Sequence, residues 1–337
     1  MGYMAEKNKV EKSMRKLKIR VLAIVLALLV VLCVFSLVFP IDTWKYYFCL
    51  PATGTRGKGE MRLHFVDVGQ GDAIVIELPD GKNVLVDGGN TEEENTTALM
   101  RYLNALDISE IDYLLLTHSD NDHCGGLEAV LQHKTVKHVF LPMTSDENAP
   151  VAYHDFQKAL VKENCTVSYF SREIEDTVQS SDENYPYKFT FVYPSRLDVQ
   201  NGVIPSDANL SSAVFWLDYM GTSALFTGDA PASVETKLMD MVDFGIAPVG
   251  VDLQSTEILK VSHHGSADAT SLEFLRFLHV QTAVVSCGEN NVHGHPSLQV
   301  CQALSDANAT TYRTDVQGSV IVTAKSDGTY SVKTLGK

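Results

Sequence analysis

Residues 117–126 read THSDNDHCGG and lie at the end of an apolar run, Ile111–Thr117, that predicts a buried strand. Four metal-ligating side chains fall close together in this stretch, namely His118, Asp120, Asp122 and His123. A polar turn that caps a helix needs one such residue rather than four, so we interpret the stretch as a metal site. Imidazole with carboxylate suits Zn²⁺, and a larger share of carboxylate favours Mn²⁺.

Two later strand ends carry the same kinds of side chain. Residues 226–229 read FTGD, and residues 259–266 read LKVSHHGS, which places His263 and His264 directly after an apolar run. Either motif alone is a weak signal, because strand–Gly–Asp turns and solvated histidine pairs are common. Three strands that each end in His or Asp are better explained by ligands that meet at one edge of a sheet pair.

The order of predicted elements indicates a layered α/β fold. Strand-like runs come first, at 61–68, 73–78 and 82–86, and from residue 95 onward helices alternate with strands. Hairpins followed by strand–helix alternation predict helices outside two sheets. We interpret residues 61–337 as one domain.

The motif order resembles that of the metallo-β-lactamase-fold hydrolases: H-x-D-x-D-H at 118–123, G-D at 228–229 and H-H-G-S at 263–266. The flanking sequences are similar to the soluble hydrolase domain of ComEC competence proteins, namely FVDVGQGDA (65–73), VDGG (86–89), VSCG (285–288) and GHPS (294–297). The resemblance runs from about residue 61 to residue 332. It implies a four-layer αβ/βα metallo-β-lactamase sandwich and a metal-dependent hydrolase.

The same resemblance implies two divalent ions, Zn²⁺ or Mn²⁺, held by six side chains: His118, Asp120, Asp122, His123, His263 and a bridging Asp229. The superfamily usually has His where Asp120 stands, and a further His ahead of the Gly-Asp motif, where this chain reads NLSS (209–212). One of the two ion sites is therefore expected to be weak. The family pattern favours His263 over His264 as the ligand.

Other polar side chains near the motifs are predicted to take part in the reaction. Asp122 would orient a metal-activated hydroxide, and His264 and His295 would contact the substrate or protonate its leaving group. We predict that three residues bind substrate, Asn209, Lys260 and Ser266, and that two hold the ligand loops from outside, Asp67 and Asp87. A helix cap is an equally supported role for His295, and a polar turn position is equally supported for Asp67.

The N-terminus predicts a single-pass membrane protein. Residues 21–39 are uncharged and apolar, and the flanking residues 1–20 are rich in Lys and Arg. About 20 apolar residues span a bilayer, and the basic flank is expected to stay in the cytoplasm. We favour an uncleaved anchor over a cleaved signal peptide, whose apolar region is shorter. Residues 40–60 would be a linker, and the hydrolase domain would lie outside the cytoplasm.

Charge limits the choice of substrate. The 337-residue chain has 27 Lys+Arg and 42 Asp+Glu, for a net charge of −15. No strong non-specific binding to nucleic acid is expected of so acidic a protein. The leading hypothesis is a phosphodiesterase or nuclease acting on DNA, a nucleotide or a cell-wall polymer. The alternatives are a metal-stabilised binding module without activity and a lactonase or β-lactamase, which would normally carry His at position 120 and near position 209.

Overall fold

The computed structural model describes residues 2–38, 40–144, 149–170, 178–194, 201–202, 204–205 and 207–337. The chain divides into two compact units, Met1–Phe48 and Cys49–Lys337. The second unit begins earlier than the domain boundary that the sequence predicted at residue 61. The reason is that the guanidinium of Arg62 donates to the carbonyl of Thr53 (3.1 Å), which ties the preceding segment to the first strand.

The first unit contains a long helix, α1 (Gly2–Val38), followed by a 3₁₀ turn at Ile41–Tyr46. Within its stretch Asn8–Leu37, an 18-residue window reaches a mean hydropathy of 2.9, and the helix is long and apolar enough to cross a membrane. The helix begins well before residue 21, because the Lys, Arg, Glu and Met residues of the basic segment are good helix formers. The apolar helix is confirmed. Its orientation in a membrane and its retention remain predictions, since a signal sequence has the same composition.

The described residues of the second unit form fourteen strands in two sheets. In chain order they are β1 (Met61–Phe65), β2 (Ile74–Glu77), β3 (Asn83–Val86), β4 (Glu110–Leu115), β5 (Thr135–Leu141), β6 (Thr166–Tyr169), β7 (Tyr187–Tyr193), β8 (Val214–Tyr219), β9 (Thr222–Phe226), β10 (Ile258–Lys260), β11 (Thr282–Val285), β12 (Thr310–Arg313), β13 (Val320–Ala324) and β14 (Tyr330–Thr334). The eight-stranded sheet has the order β14-β13-β1-β2-β3-β4-β5-β6. The six-stranded sheet has the order β12-β11-β10-β9-β8-β7.

Each sheet joins an antiparallel part to a parallel part. In the first sheet β1, β2 and β3 pair antiparallel, and β3 to β6 pair parallel. In the second sheet β7, β8 and β9 pair antiparallel, and β9 to β12 pair parallel. Parallel neighbours need crossover connections, which helices commonly supply. This order confirms the prediction of hairpins followed by strand–helix alternation.

Helices cover the outer faces of the sheets. The helices that follow α1 along the chain are α2 (Glu93–Ala105), α3 (Asn121–Cys124), α4 (Leu127–His133), α5 (Val151–Leu160), α6 (Ala232–Asp243), α7 (Leu272–Leu278), α8 (Leu298–Asp306) and α9 (Thr314–Gln317). On the first sheet, Tyr102 of α2 hydrogen-bonds His64 of β1 (3.0 Å). On the second sheet, Leu259 of β10 packs with Phe274 of α7 in one buried cluster. The four-layer sandwich is confirmed.

The main core lies between the two sheets. Phe65 of β1 and Phe226 of β9 stack across the interface with ring centroids 6.2 Å apart. Because side chains alternate along a strand, Leu63 shares the inner face with Phe65, while His64 faces the helices. This packing brings the ends of β4, β9 and β10 together, and each of those ends leads into one of the three candidate ligand motifs.

Candidate metal centre

The loop after β4 is held by Asp87, the first residue of the turn after β3. The Thr117 amide and hydroxyl each donate to the Asp87 carboxylate (2.7 Å). The same carboxylate lies 2.8 Å from Nδ1 of His123. A carboxylate behind a ligating histidine fixes the ring and its tautomer. Asp87 therefore turns Nε2 of His123 inward and is not itself placed to bind an ion.

Four side chains converge at the edge where the two sheets meet. Nε2 of His123 lies 3.2 Å from Nε2 of His264 and 3.3 Å from Oδ1 of Asp229. Nε2 of His264 lies 3.3 Å from Oδ2 of Asp229 and 3.3 Å from Oδ2 of Asp122. These separations fit one ion, because tetrahedral bonds of 2.0–2.1 Å place neighbouring ligand atoms about 3.3 Å apart. We call these four residues the metal cluster.

Unsatisfied polar atoms support this interpretation. Oδ1 of Asp229 is buried and has no hydrogen-bond partner among the described residues. Buried polar atoms in folded proteins are nearly always satisfied, so an orphaned carboxylate oxygen between two histidines calls for a cation. The residues present therefore fit a divalent ion with nitrogen and oxygen ligands.

The other half of the predicted dinuclear site has fewer ligands. Nε2 of His118 is buried and, within the part of the chain that the structure describes, makes no hydrogen bond. It lies 3.6 Å from Oδ2 of Asp120 and 3.9 Å from Oδ2 of Asp229. Asp229 thus lies between the two halves, as expected of a bridging carboxylate. Besides Asp229, the predicted ligands that lie in this second half are His118 and Asp120.

Of the two adjacent histidines, His264 lies nearer to Asp229 than His263, which the family pattern favoured. His263 is about one-fifth exposed, lies 3.8 Å from Asp229 and pairs through Nδ1 with Asp268 (3.1 Å). His264 is buried, and its Nδ1 donates to the carbonyl of Ser286 (2.8 Å), which leaves Nε2 for the cluster. Both residues have left-handed backbone angles, with φ of 49° and 53°. This turn, rather than the alternation of an extended strand, selects which ring points inward.

Lys260 requires a correction, because it cannot contact a substrate as predicted. Its side chain is 1% exposed, and Nζ is bound to Oδ2 of Asp72 (2.6 Å) and to the carbonyl of Val261 (2.9 Å). Asp67 also lies elsewhere than predicted. Its carboxylate pairs with Nζ of Lys337 (2.6 Å) at a polar groove, and no contact with the metal cluster is found for it among the described residues.

The remaining predicted residues lie around the rim. The ring of His295 is 6.4 Å from that of His264 and 5.6 Å from that of His263, and burial lowers its pKa. Oδ1 of Asn209 is buried and has no partner among the described residues. Asn209 lies in the 3₁₀ turn Ala208–Ser211, just before Ser212, which accepts from the Asp229 amide. Ser266 donates its amide to the carbonyl of His263 (2.7 Å).

Asp72 also lies at the border of the metal cluster, as its turn next to the ligand motifs suggests. Its side chain is 1% exposed and lies 3.6 Å from His264 and 4.0 Å from His123. The sequence feature that marks Asp72 is the Gly-Gln-Gly-Asp turn at residues 69–72. Gly71 has φ of 134°, and a Cβ there would lie 2.2 Å from the carbonyl oxygen of Asp122. A side chain at residue 71 would therefore push the turn away from the loop that carries the ligands.

In the absence of an ion, the buried histidines take up protons. Burial alone would lower the pKa of His264, but the carboxylates of Asp229 and Asp72 outweigh it and raise this pKa to about 10. Burial also opposes the charge on His123, yet Asp229 and Asp87 raise its pKa well above the usual value. An ion that binds here must displace these protons.

Metal affinity is accordingly expected to rise with pH between 6 and 8. Each displaced proton contributes up to about tenfold per pH unit. A raised histidine pKa stabilises the folded protein fully below the unfolded value of about 6.5. That contribution is lost as the pH approaches about 10, so the metal-free protein should melt at lower temperature at pH 9 than at pH 7. Calorimetric titration with Mn²⁺ checks the expected rise of metal affinity with pH. An affinity that is constant or falls with pH would contradict this expectation.

The chain is similar in sequence to several known proteins. A sequence model described as the Metallo-beta-lactamase superfamily matches residues 66–289. ComE operon protein 3 of Bacillus subtilis is 29% identical over 85% of this chain and 35% of its own length. Competence protein ComA of Neisseria gonorrhoeae is 26% identical over 75% of this chain and 31% of its own. Endoribonuclease YSH1 of Candida glabrata is 28% identical over 52% of this chain and 24% of its own. The chain thus spans about a third or less of the length of these relatives.

Proposed function

The chain belongs to the metallo-β-lactamase superfamily, and on that premise we propose that it is a metal-dependent phosphodiesterase, anchored by its N-terminal helix with the hydrolase domain outside the cytoplasm. The observation that carries the proposal is the convergence of His123, His264, Asp229 and Asp122. The Nε2 atom of His264 lies 3.2–3.3 Å from the other three side chains, and that of His123 lies 3.3 Å from Asp229. When bound there, a divalent ion supplies Lewis-acid chemistry and lowers the pKa of water.

The protein's own residues hold and orient the reactants. Asp122 is one-quarter exposed, whereas Asp229 is almost completely buried. Asp122 is therefore the cluster carboxylate best placed to accept a hydrogen bond from an attacking water. His295 lies beside the cluster, and burial together with the neighbouring histidines keeps its pKa low, so it would enter the reaction in its neutral form. This form accepts a proton more readily than it donates one.

We propose one tightly bound ion and a weaker second one. The metal cluster supplies four ligands to the first ion. His118 and Asp120, with a shared Asp229, would hold the second, and Asp120 is 42% exposed. A carboxylate in place of an imidazole favours Mn²⁺ over Zn²⁺ in this half. The ligand-poor half is also what favours the second candidate function, a metal-stabilised binding module without turnover.

The substrate class is proposed from the relatives and from charge. One relative is named as a competence protein and another as an endoribonuclease, which supports a phosphodiester substrate. The net charge of −15 opposes tight non-specific binding of a polyanion. A nucleic-acid substrate would therefore be bound through the ions at the cleavage position rather than along a basic surface. A nucleotide or a wall-polymer phosphodiester fits the same charge.

The test is hydrolysis of bis(p-nitrophenyl) phosphate by the full-length chain in detergent, with Mn²⁺ or Zn²⁺. We expect metal-dependent turnover, and Asp122→Asn is expected to lower kcat on the order of 100-fold. Asp155→Asn, on the surface helix α5, is the matched control and should leave kcat unchanged. A protein that is folded and loaded with metal but shows no turnover would contradict the proposal and favour the binding module.

A further inference from the structure

Lys260 and Asp72 form an ion pair in the interior, next to the metal cluster. Each side chain is 1% exposed, and the two charged atoms are 2.6 Å apart. Lysine and aspartate are almost never fully buried unless they are paired. Neither residue has a part in the chemistry described above, so the position of the pair needs its own explanation.

The pair lies behind the cluster histidines. Oδ1 of Asp72 is 3.6 Å from Nδ1 of His264, and Oδ2 is 4.0 Å from Nδ1 of His123. The atoms that converge on Asp229 are instead the Nε2 atoms of the same two rings. Asp72 is close enough to the metal cluster to be grouped with it. However, its carboxylate faces the Nδ1 atoms of the two rings, whereas an ion bound by the cluster would lie at the Nε2 atoms.

Residue 72 also joins the segments that carry the ligands. Its amide donates to the carbonyl of Asp122 (3.0 Å), and its carbonyl accepts from the amide of Gly89 (2.7 Å). Gly89 follows Asp87, which orients His123. The Asp72 side chain reaches Lys260, the last residue of β10, a few positions before His264. One residue thus contacts three of the segments from which the site is built.

The ion pair connects the two sheets. Asp72 lies in the connection between β1 and β2 of the eight-stranded sheet, and Lys260 ends β10 of the six-stranded sheet. Ile258 belongs to the core between the sheets, and Lys260 shares its face because side chains alternate along a strand. The residues of the metal cluster are divided between the two sheets in the same way. Asp122 and His123 follow β4 of the eight-stranded sheet, whereas Asp229 and His264 follow strands of the six-stranded sheet.

We propose that Lys260 and Asp72 are positioning residues whose ion pair fixes the two sheets relative to each other at the metal centre and so holds His264 against His123 and Asp229. This inference rests on the proposed metal site. The ion pair removes Lys260 from substrate binding.

The experiment measures Mn²⁺ binding by calorimetry, using the metal-free full-length chain in detergent. Lys260→Met and Asp72→Asn are each expected to weaken Mn²⁺ binding roughly tenfold or more, as loss of a group that orients ligands does. The double variant is expected to bind more tightly than either single variant, because it leaves no unpaired charge in the interior. Lys260→Arg keeps the charge and should lose less affinity than Lys260→Met.

Other roles for the pair give different results. If Lys260 binds substrate, Lys260→Met will raise KM and leave Mn²⁺ affinity unchanged. If the pair serves stability alone, the variants will melt at lower temperature while the folded fraction binds Mn²⁺ as the unsubstituted chain does. Either result overturns the inference. If Lys260→Met does not fold, Lys260→Arg and the double variant supply the comparison. Failure of the unsubstituted chain to bind Mn²⁺ would instead contradict the proposed function itself.

Discussion

Asp229→Asn is expected to lower metal affinity on the order of 100-fold or more and to reduce phosphodiester turnover to background. Asp229 lies between both halves of the centre, within 3.3 Å of His123 and His264 and 3.9 Å of His118. Asparagine keeps the shape of the side chain but removes the charge. It also presents an NH₂ group where the histidine nitrogens face a carboxylate. Metal content after dialysis and kcat with bis(p-nitrophenyl) phosphate measure the effect.

Asp218→Asn is the matched control. Asp218 is a half-buried acid in β8, the strand that pairs with β9 ahead of Asp229, and it belongs to no ligand motif. This variant should bind Mn²⁺ within about twofold of the unsubstituted chain, as surface substitutions generally have small effects. A folded Asp229→Asn protein that retains metal and turnover would show that the ion binds elsewhere.

His264→Gln is expected to abolish tight metal binding, whereas His263→Gln is expected to retain it. Nε2 of His264 contacts three cluster groups at 3.2–3.3 Å, and Nε2 of His263 lies 3.8 Å from the nearest one. We expect a loss on the order of 100-fold for His264→Gln and less than about fivefold for His263→Gln. The two variants are mutual controls, because the residues are adjacent and the substitution is the same.

The opposite result, in which His263→Gln loses more metal affinity than His264→Gln, would support His263 as the ligand, which the family pattern favoured. If His263→Gln loses the metal and His264→Gln keeps it, then the loop at 262–265 must rearrange when an ion binds, and the cluster described here would not be the metal site. Equal losses in both variants would mean that both rings ligate. Calorimetric titration with Mn²⁺ at a single pH distinguishes these outcomes, provided that circular dichroism shows both variants folded.

The fold could be predicted because its signals are local and repeated. The apolar runs before His118, Asp229 and His263 each become a buried strand. The ends of β9 and β10 meet because parallel neighbours place their carboxyl ends at one edge, and the packing of the two sheets brings the end of β4 beside them. The alternation of apolar residues in strands and their periodicity in helices are sufficient to predict the type and order of these elements.

The choice between His263 and His264 could not be predicted from the sequence. Two adjacent left-handed residues set the direction of each ring, and no sequence period describes such a turn. Lys260 was misassigned for a different reason. The rule of alternation places it on the face of Ile258, but the sequence does not reveal which face of β10 is buried between the sheets. The partner of Asp72 could not be predicted, because Lys260 is almost two hundred residues away and on the other sheet.

The central claim is that one divalent ion is held by His123, His264 and Asp229 with Asp122. The most direct test is an anomalous-scattering map from crystals of the protein grown with Zn²⁺. The account predicts a peak about 2.0–2.2 Å from Nε2 of His123, Nε2 of His264 and a carboxylate oxygen of Asp229. A weaker peak beside His118 and Asp120 would mark the second ion. A well-ordered cluster without a peak, or a peak coordinated by His263 and not by His264, would contradict it.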